Sequence, residues 1–272
     1  MYYLFDCDGT LFDTEALKAE SWGRGIIEIL TSNGENLGEE KSNEIISKVT
    51  KMYKAGGKTE EVASHILYEC KKTFAKENLF KIIELIPPKT LIQKRKEAKD
   101  KIFNMAFPID SPAKTNKKLL IEQSWDFIKQ LKARNIEIGL VTTTKELWVK
   151  RYFKAYHLEL GNLYKFFKIM ICGKKKSKGV KEAVCKFSNK IADNEIVDDE
   201  IIDKLFLECN PKDFILVEDS LEGTLEGKKV GVNVITIPNN FTKVSFPDLL
   251  LTPIGKKNMK WDNIIDYFEA IN

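Results

Sequence analysis

The stretch Asp6-Cys7-Asp8-Gly9-Thr10-Leu11-Phe12-Asp13-Thr14-Glu15 limits this chain more than any other. Before it, Met1-Tyr2-Tyr3-Leu4-Phe5 is apolar and aromatic with no helix-starting residue, the pattern of a buried strand. Side chains alternate faces along a strand, so Asp6 and Asp8 project to the same side of its end. Two like charges held that close need a cation or a shared proton. Gly9 allows a sharp turn, and Thr10 can hydrogen-bond within it. An acidic turn would account for a lone Asp-x-Asp. Ten residues in this order behind a strand point instead to chemistry.

The rest of the chain is that of a globular protein. With 272 residues it can hold one large domain, or a main domain and a smaller one. Its 44 basic residues are scattered among 40 acidic ones, so no concentrated basic face for nucleic acid is expected. Arginine occurs only at 24, 95, 134 and 151, which makes bidentate clamps scarce. Cysteines 7, 70, 172, 185 and 209 are odd in number and show no paired metal-ligand spacing. They suit a reducing cytoplasm. No apolar run is long enough to span a bilayer, and no signal peptide is expected ahead of Asp6.

From Ala16 to about Asp110 the pattern is helical, with Pro87-Pro88 as a break and no alternating strand. Residues 16–110 are therefore expected to form an all-helical insertion, and residues 1–15 and 111–272 the main domain. After Pro112, helix and strand alternate. Strands are predicted at 136–141, 168–172, 214–217, 232–237 and 249–251, with helices at 119–135, 147–157, 179–187, 222–230 and 261–271. That alternation gives an α/β fold, a Rossmann-like parallel sheet covered by helices on both faces. In such sheets ligands gather at the carboxyl ends of the strands, near a topological switch point. Asp6, Thr142 and Glu218-Asp219 all fall at predicted strand ends.

The chemistry of these positions can be weighed residue by residue. A buried strand that ends on Glu218-Asp219 is costly unless a cation or hydrogen bonds compensate. A hydroxyl at Thr142 can donate to a phosphate oxygen, and Thr142-Thr143-Thr144 can equally cap a helix, whose N-terminus also favours anions. Gly173-Lys174-Lys175-Lys176-Ser177-Lys178-Gly179 places four lysines in one short loop, most of them expected to be solvated.

Asp-x-Asp-Gly-Thr-Leu-x-Asp-Thr-Glu is similar to the first motif of the haloacid dehalogenase-like phosphohydrolases. The likeness is to the branch with a helical cap inserted after that motif, which includes β-phosphoglucomutase and phosphoglycolate phosphatase. Val217-Glu218-Asp219-Ser220-Leu221-Glu222-Gly223 resembles the fourth motif of the family, Glu-Asp-Ser-x-x-Gly. The resemblance implies that Asp6 is a nucleophile that forms an aspartyl-phosphate and Asp8 a general acid/base. It implies Mg²⁺ held by Asp6, the backbone carbonyl of Asp8 and Asp219, with Glu218 near or in the shell. It selects Thr142 as the phosphate-binding hydroxyl and asks for a lysine after the next strand. The family usually has Lys-Pro there; Lys178-Gly179 is the counterpart here, with Lys176 next. The cap helix often contributes a His to sugar phosphomutases, and that place holds Lys18.

The expected activity is a Mg²⁺-dependent phosphatase acting on a small phosphorylated metabolite such as a sugar phosphate, a nucleotide or phosphoglycolate. The cap would close over the site and contact the leaving group, and the protein would be a monomer or homodimer. The alternatives are a sugar phosphomutase and a non-catalytic regulatory protein that binds a phospho-ligand. A dehalogenase is disfavoured, since that chemistry needs neither Asp8 nor a metal.

Overall fold

The computed structural model describes residues 1–54, 58–108, 119–157, 161–237 and 249–250. The chain divides into two compact units, one of Met1–Asp13 with Asp110–Asn272 and one of Thr14–Ile109.

The first unit is built on a parallel sheet. Its strands are β1 (Tyr2–Phe5), β2 (Ile138–Thr142), β3 (Ile169–Cys172), β4 (Phe214–Glu218), β5 (Asn233–Thr236) and β6 (Leu249–Leu250), in the order β3-β2-β1-β4-β5-β6. The chain starts in the middle, runs outward through β2 and β3, then returns to the other side of β1 for β4. The switch point thus lies at the carboxyl ends of β1 and its two neighbours. Residues in β1 face both ways, and both faces are covered, which is why its sequence is unbroken apolar. Tyr3 and Phe5 point to one face, where the Phe127 ring meets them edge-on at 5.4 and 5.8 Å between centroids. Leu4 points to the other and joins a core with Val180, Ala183, Val184 and Phe187.

Among the described residues of this unit, five helices flank the strands: α6 (Glu122–Ala133), α7 (Glu146–Ala155), α8 (Lys176–Phe187), α9 (Asp199–Phe206) and α10 (Leu221–Val230). In chain order they come after the helices of Thr14–Ile109. The loop after β1 is pinned from α6 and α7. The Trp125 indole donates to the Leu11 carbonyl at 3.1 Å, and Phe12 packs among Trp125, Tyr152, Phe153 and Tyr156. The segment 189–210, in which the sequence shows no motif, contains α9 and the turn after it. The expected helix 261–271 lies outside the described residues.

The described residues of the second unit form helices and no strand: α1 (Glu15–Ser32), α2 (Glu39–Met52), α3 (Thr59–Thr73), α4 (Phe80–Glu84) and α5 (Pro88–Ala106). Apolar residues at helical spacing build its core, with Trp22, Ile26 and Leu30 of α1 against Val49, Ile66, Leu67 and Leu91. Pro88 occupies the first turn of α5, where a missing N–H costs nothing. At the start of α1, Glu15 is buried and accepts from the Tyr53 hydroxyl at 2.8 Å and the Lys18 ammonium at 2.5 Å. Lys18 is thus an ion-pair partner within its own helix. No helix among the described residues is long and apolar enough to cross a membrane.

Candidate active site

The carboxyl ends of β1, β2 and β4 and the start of α8 converge on one group of polar side chains. Asp6 follows β1 directly, and its N–H donates to the Val217 carbonyl at 2.9 Å, which extends the β1–β4 pairing into the site. The chain then turns back on itself: the Gly9 N–H reaches the Phe12 carbonyl at 2.7 Å and the Leu11 N–H the Cys7 carbonyl at 2.8 Å. Gly9 takes φ +79°, a left-handed conformation that glycine adopts without strain.

Two absent side chains make room for two carboxylates. A Cβ on Gly9 would lie 2.2 Å from Asp219 Oδ2, and one on Gly223 would lie 2.2 Å from the carboxyl carbon of Glu218. Thr10 Oγ1 also donates to Asp219 Oδ1 at 3.4 Å, a long contact. Asp219 is thereby seated by the loop that carries Asp6 and Asp8. Gly9→Ala is expected to displace it and weaken divalent-cation binding by about 10–100-fold, read by calorimetric titration. Equal affinity in that variant would show that Asp219 does not depend on this space.

Lys176 is the cation of the cluster. Its ammonium lies 2.7 Å from Asp6 Oδ1 and 2.8 Å from Glu218 Oε2, and donates to the Val141 carbonyl at 3.0 Å. Only 6% of its surface is exposed. Burial works to discharge the ammonium, but the Asp6 and Glu218 charges outweigh it and hold it above the ordinary lysine range. Burial likewise works to raise Glu218, and Lys176 with Ser220 prevails, so this carboxyl is held below its usual value. Glu218 Oε1 accepts from the Ser220 hydroxyl at 2.7 Å. Asp6 goes the other way. Burial first, and the Glu218 charge next, push it up to about 6 against the pull of Lys176.

The expected lysine therefore changes. Helix α8 begins at Lys176, three residues earlier than the sequence pattern suggests, and its buried face runs Lys176, Gly179, Val180, Ala183, Val184, Phe187. Lys178 is two residues on, about 200° around the helix from Lys176. It is exposed and pairs with Asp199. The phosphate-binding role assigned to Lys178 on resemblance has no support from this placement, and Lys176 occupies the position beside Asp6.

The threonines divide the work that the sequence left open. Thr142 ends β2, is buried, and its hydroxyl oxygen accepts from the Thr144 N–H at 3.2 Å. Thr144 Oγ1 donates to Asp8 Oδ2 at 2.9 Å. The N-cap of α7 is Lys145, without a side-chain capping bond, so the threonines do not cap that helix. Thr144 is a residue that the sequence did not single out for Asp8.

The donor set suits a hard divalent cation. Asp6, Glu218 and Asp219 are all buried, and one oxygen of each lies within 4.8 Å of the others. The Lys176 ammonium is shared between Asp6 and Glu218, and oxygen-only donors are those that Mg²⁺ and its like prefer. Glu218 is already engaged at both oxygens by Lys176 and Ser220, so Asp6 and Asp219 are the carboxylates best placed to hold the ion.

The parallel sheet thus carries acidic residues at the carboxyl ends of its two middle strands, β1 and β4. The chain belongs to the haloacid dehalogenase-like hydrolases, whose family model matches residues 2–231. No curated protein sequence matches it. Among solved structures the fold is similar to the β-phosphoglucomutase of the archaeon Pyrococcus sp. strain ST 04, at 18% identity and a TM-score of 0.56 over 99% of both chains. It is also similar to a HAD hydrolase of family IA, variant 3, from Entamoeba histolytica HM-1:IMSS, at 18% identity and a TM-score of 0.54, over 98% of this chain and 99% of that one. A predicted phosphoglycolate phosphatase of Haemophilus somnus 129pt matches at 16% identity and a TM-score of 0.51, over 100% of this chain and 97% of that one.

Proposed function

We propose that the protein is a Mg²⁺-dependent phosphatase that hydrolyses a small phosphate monoester through an aspartyl-phosphate on Asp6. The observation that carries this reading is the buried Lys176 ammonium held between Asp6 and Glu218, 2.7 and 2.8 Å away, at the switch point of the sheet. Membership of the hydrolase family and the oxygen-only acidic cluster support it.

Phosphate monoesters hydrolyse extremely slowly unaided, so the site must stabilise the transition state strongly. Asp6 attacks phosphorus in line with the leaving oxygen, forming an acyl phosphate as the ester P–O bond breaks. Asp8 protonates the departing oxygen, and the Thr144 hydroxyl fixes the orientation of the Asp8 carboxyl. Water then attacks phosphorus after giving its proton to Asp8, which releases phosphate and restores Asp6. Lys176 orients Asp6 and offsets negative charge on the phosphoryl oxygens throughout. Thr142, which accepts from a backbone N–H, has its own hydroxyl hydrogen left to donate to one of those oxygens. Asp6, Asp219 and the Asp8 carbonyl would hold Mg²⁺, and the ion supplies charge neutralisation at the phosphoryl group when bound. The helical unit Thr14–Ile109 is inserted directly after the first motif.

Phosphate release from a panel of sugar, nucleotide and glycolate phosphates, with Mg²⁺ and with EDTA, tests this. Release from at least one ester that stops in EDTA is expected. A sugar phosphate isomerised without phosphate release would replace the phosphatase by a mutase, and release undiminished in EDTA would remove the metal from the reaction.

A further inference from the structure

Cys185 and Cys209 are far apart in the chain, yet the fold brings them together. Cys185 lies in α8 and is fully buried; Cys209 lies in the turn after α9 and is half-buried. They share one small apolar cluster with Ile191, Ile202, Leu205 and Phe206. Each thiol also donates to a carbonyl of the α9 segment, Cys185 to Ile202 at 3.8 Å and Cys209 to Leu205 at 3.5 Å. Burial first, and the nearby Cys209 next, raise the Cys185 thiol to about 12. Exposed ion pairs on both sides of the cluster, Lys181 with Asp203 at 2.7 Å and Lys190 with Glu208 at 2.7 Å, tie the same two segments together.

We propose that Cys185 and Cys209 are a thiol modification site, oxidised to an internal disulfide by a small-molecule disulfide. The half-buried Cys209 reacts first. Its thiolate attacks one sulfur of the reagent, the reagent S–S bond breaks, and one thiol leaves with a proton while a mixed disulfide forms. Cys185 then attacks the Cys209 sulfur, the mixed S–S bond breaks, and the second thiol leaves with the Cys185 proton. The reagent is reduced to two thiols and the protein is oxidised by two electrons. The buried partner waits beside the accessible one, the arrangement of a resolving thiol.

Of the other free cysteines, Cys172 acts on Cys7 by its charge. Those two follow or end strands β1 and β3, with β2 between them. Two strand spacings amount to about 9.6 Å, beyond the Cα separation of about 7 Å that a disulfide can bridge. The Cys185–Cys209 bond would join the helix that begins at Lys176 to the turn that leads into β4 and hence to Glu218. Oxidation thereby fastens together two segments that carry site residues.

Oxidised glutathione is the probe, added to the folded full chain, with remaining thiols alkylated under denaturing conditions. The expected product has lost two alkylatable thiols and about 2 Da, with no retained glutathione. Peptide mapping should join the segments around 185 and 209, and a dithiol reductant should restore both. Cys185→Ser should stop at one glutathione on Cys209, and Cys209→Ser should leave Cys185 unmodified. Glutathione retained on Cys209 of the unaltered protein, a link that forms equally fast in urea, or no reaction would each overturn the proposal.

Discussion

Asp6→Asn is expected to lower phosphate release by about 10⁴-fold or more, the scale on which removal of a nucleophile acts, and to leave the fold intact. The amide has nearly the shape of the carboxyl but cannot form an acyl phosphate. Its folding should not suffer. In the metal-free protein Asp6 is raised from 3.8 to about 6, so the folded chain binds its proton more tightly than the unfolded one. Whatever stability that proton confers is present below 3.8 and is lost as pH rises through about 6. Asn resembles the protonated carboxyl at every pH. In EDTA above that range the variant should therefore be no less stable than the parent. Chemical denaturation beside the activity assay separates the two effects. Activity close to that of the parent would reject Asp6 as nucleophile, whereas lost activity with lost folding would leave the role to be judged by Asp6→Glu, which keeps charge but misplaces the attacking oxygen.

Lys176→Met is expected to cost about 10²–10³ in turnover, as for loss of one donor to the developing charge. The same change leaves Asp6 and Glu218 as neighbouring buried carboxylates with no ammonium between them. Breaking a buried ion pair from one side costs about 3–5 kcal/mol, and denaturation in EDTA should show a loss of that order. Added Mg²⁺ should restore part of it, because the ion offsets the same charge. Lys178→Met serves as the counterpart. Its partner Asp199 is exposed, so activity should stay within about twofold of the parent. If Lys178→Met lost activity and Lys176→Met kept it, the placement of α8 relative to the sheet would be wrong for the working enzyme.

The contrast between these two lysines shows what the sequence could and could not tell. Strands β1 and β4 were legible because strands buried on both faces read as short apolar runs, and each ends abruptly in carboxylates. Asp6, Asp8, Glu218 and Asp219 were legible because each pair is contiguous or nearly so in the chain. The lysine was not. Four lysines crowd the segment 174–178, and α8 starts without a side-chain cap at Lys175 that would mark its first residue. The signal that selects Lys176 is periodic: stepping back from Phe187 by three, four and four, through Val184 and Val180, puts Lys176 on the buried face.

Other features were hidden by distance along the chain. Thr144 bonds Asp8 across 136 residues, and nothing in a triple threonine says which hydroxyl reaches back. The same holds for Cys185 and Cys209, whose spacing has no motif and whose contact exists only once α9 folds against α8. Gly9 and Gly223 were visible as turn and motif glycines. Their second effect, leaving space for Asp219 and Glu218, arises only in the folded chain.

The most direct test of covalent transfer through Asp6 is the stereochemical course at phosphorus. Once a substrate is found, a version made chiral at phosphorus with oxygen isotopes can be hydrolysed and the released phosphate analysed. Two in-line displacements, first by Asp6 and then by water, each invert phosphorus, so net retention is expected. Net inversion would mean a single attack by water, and would contradict the aspartyl-phosphate.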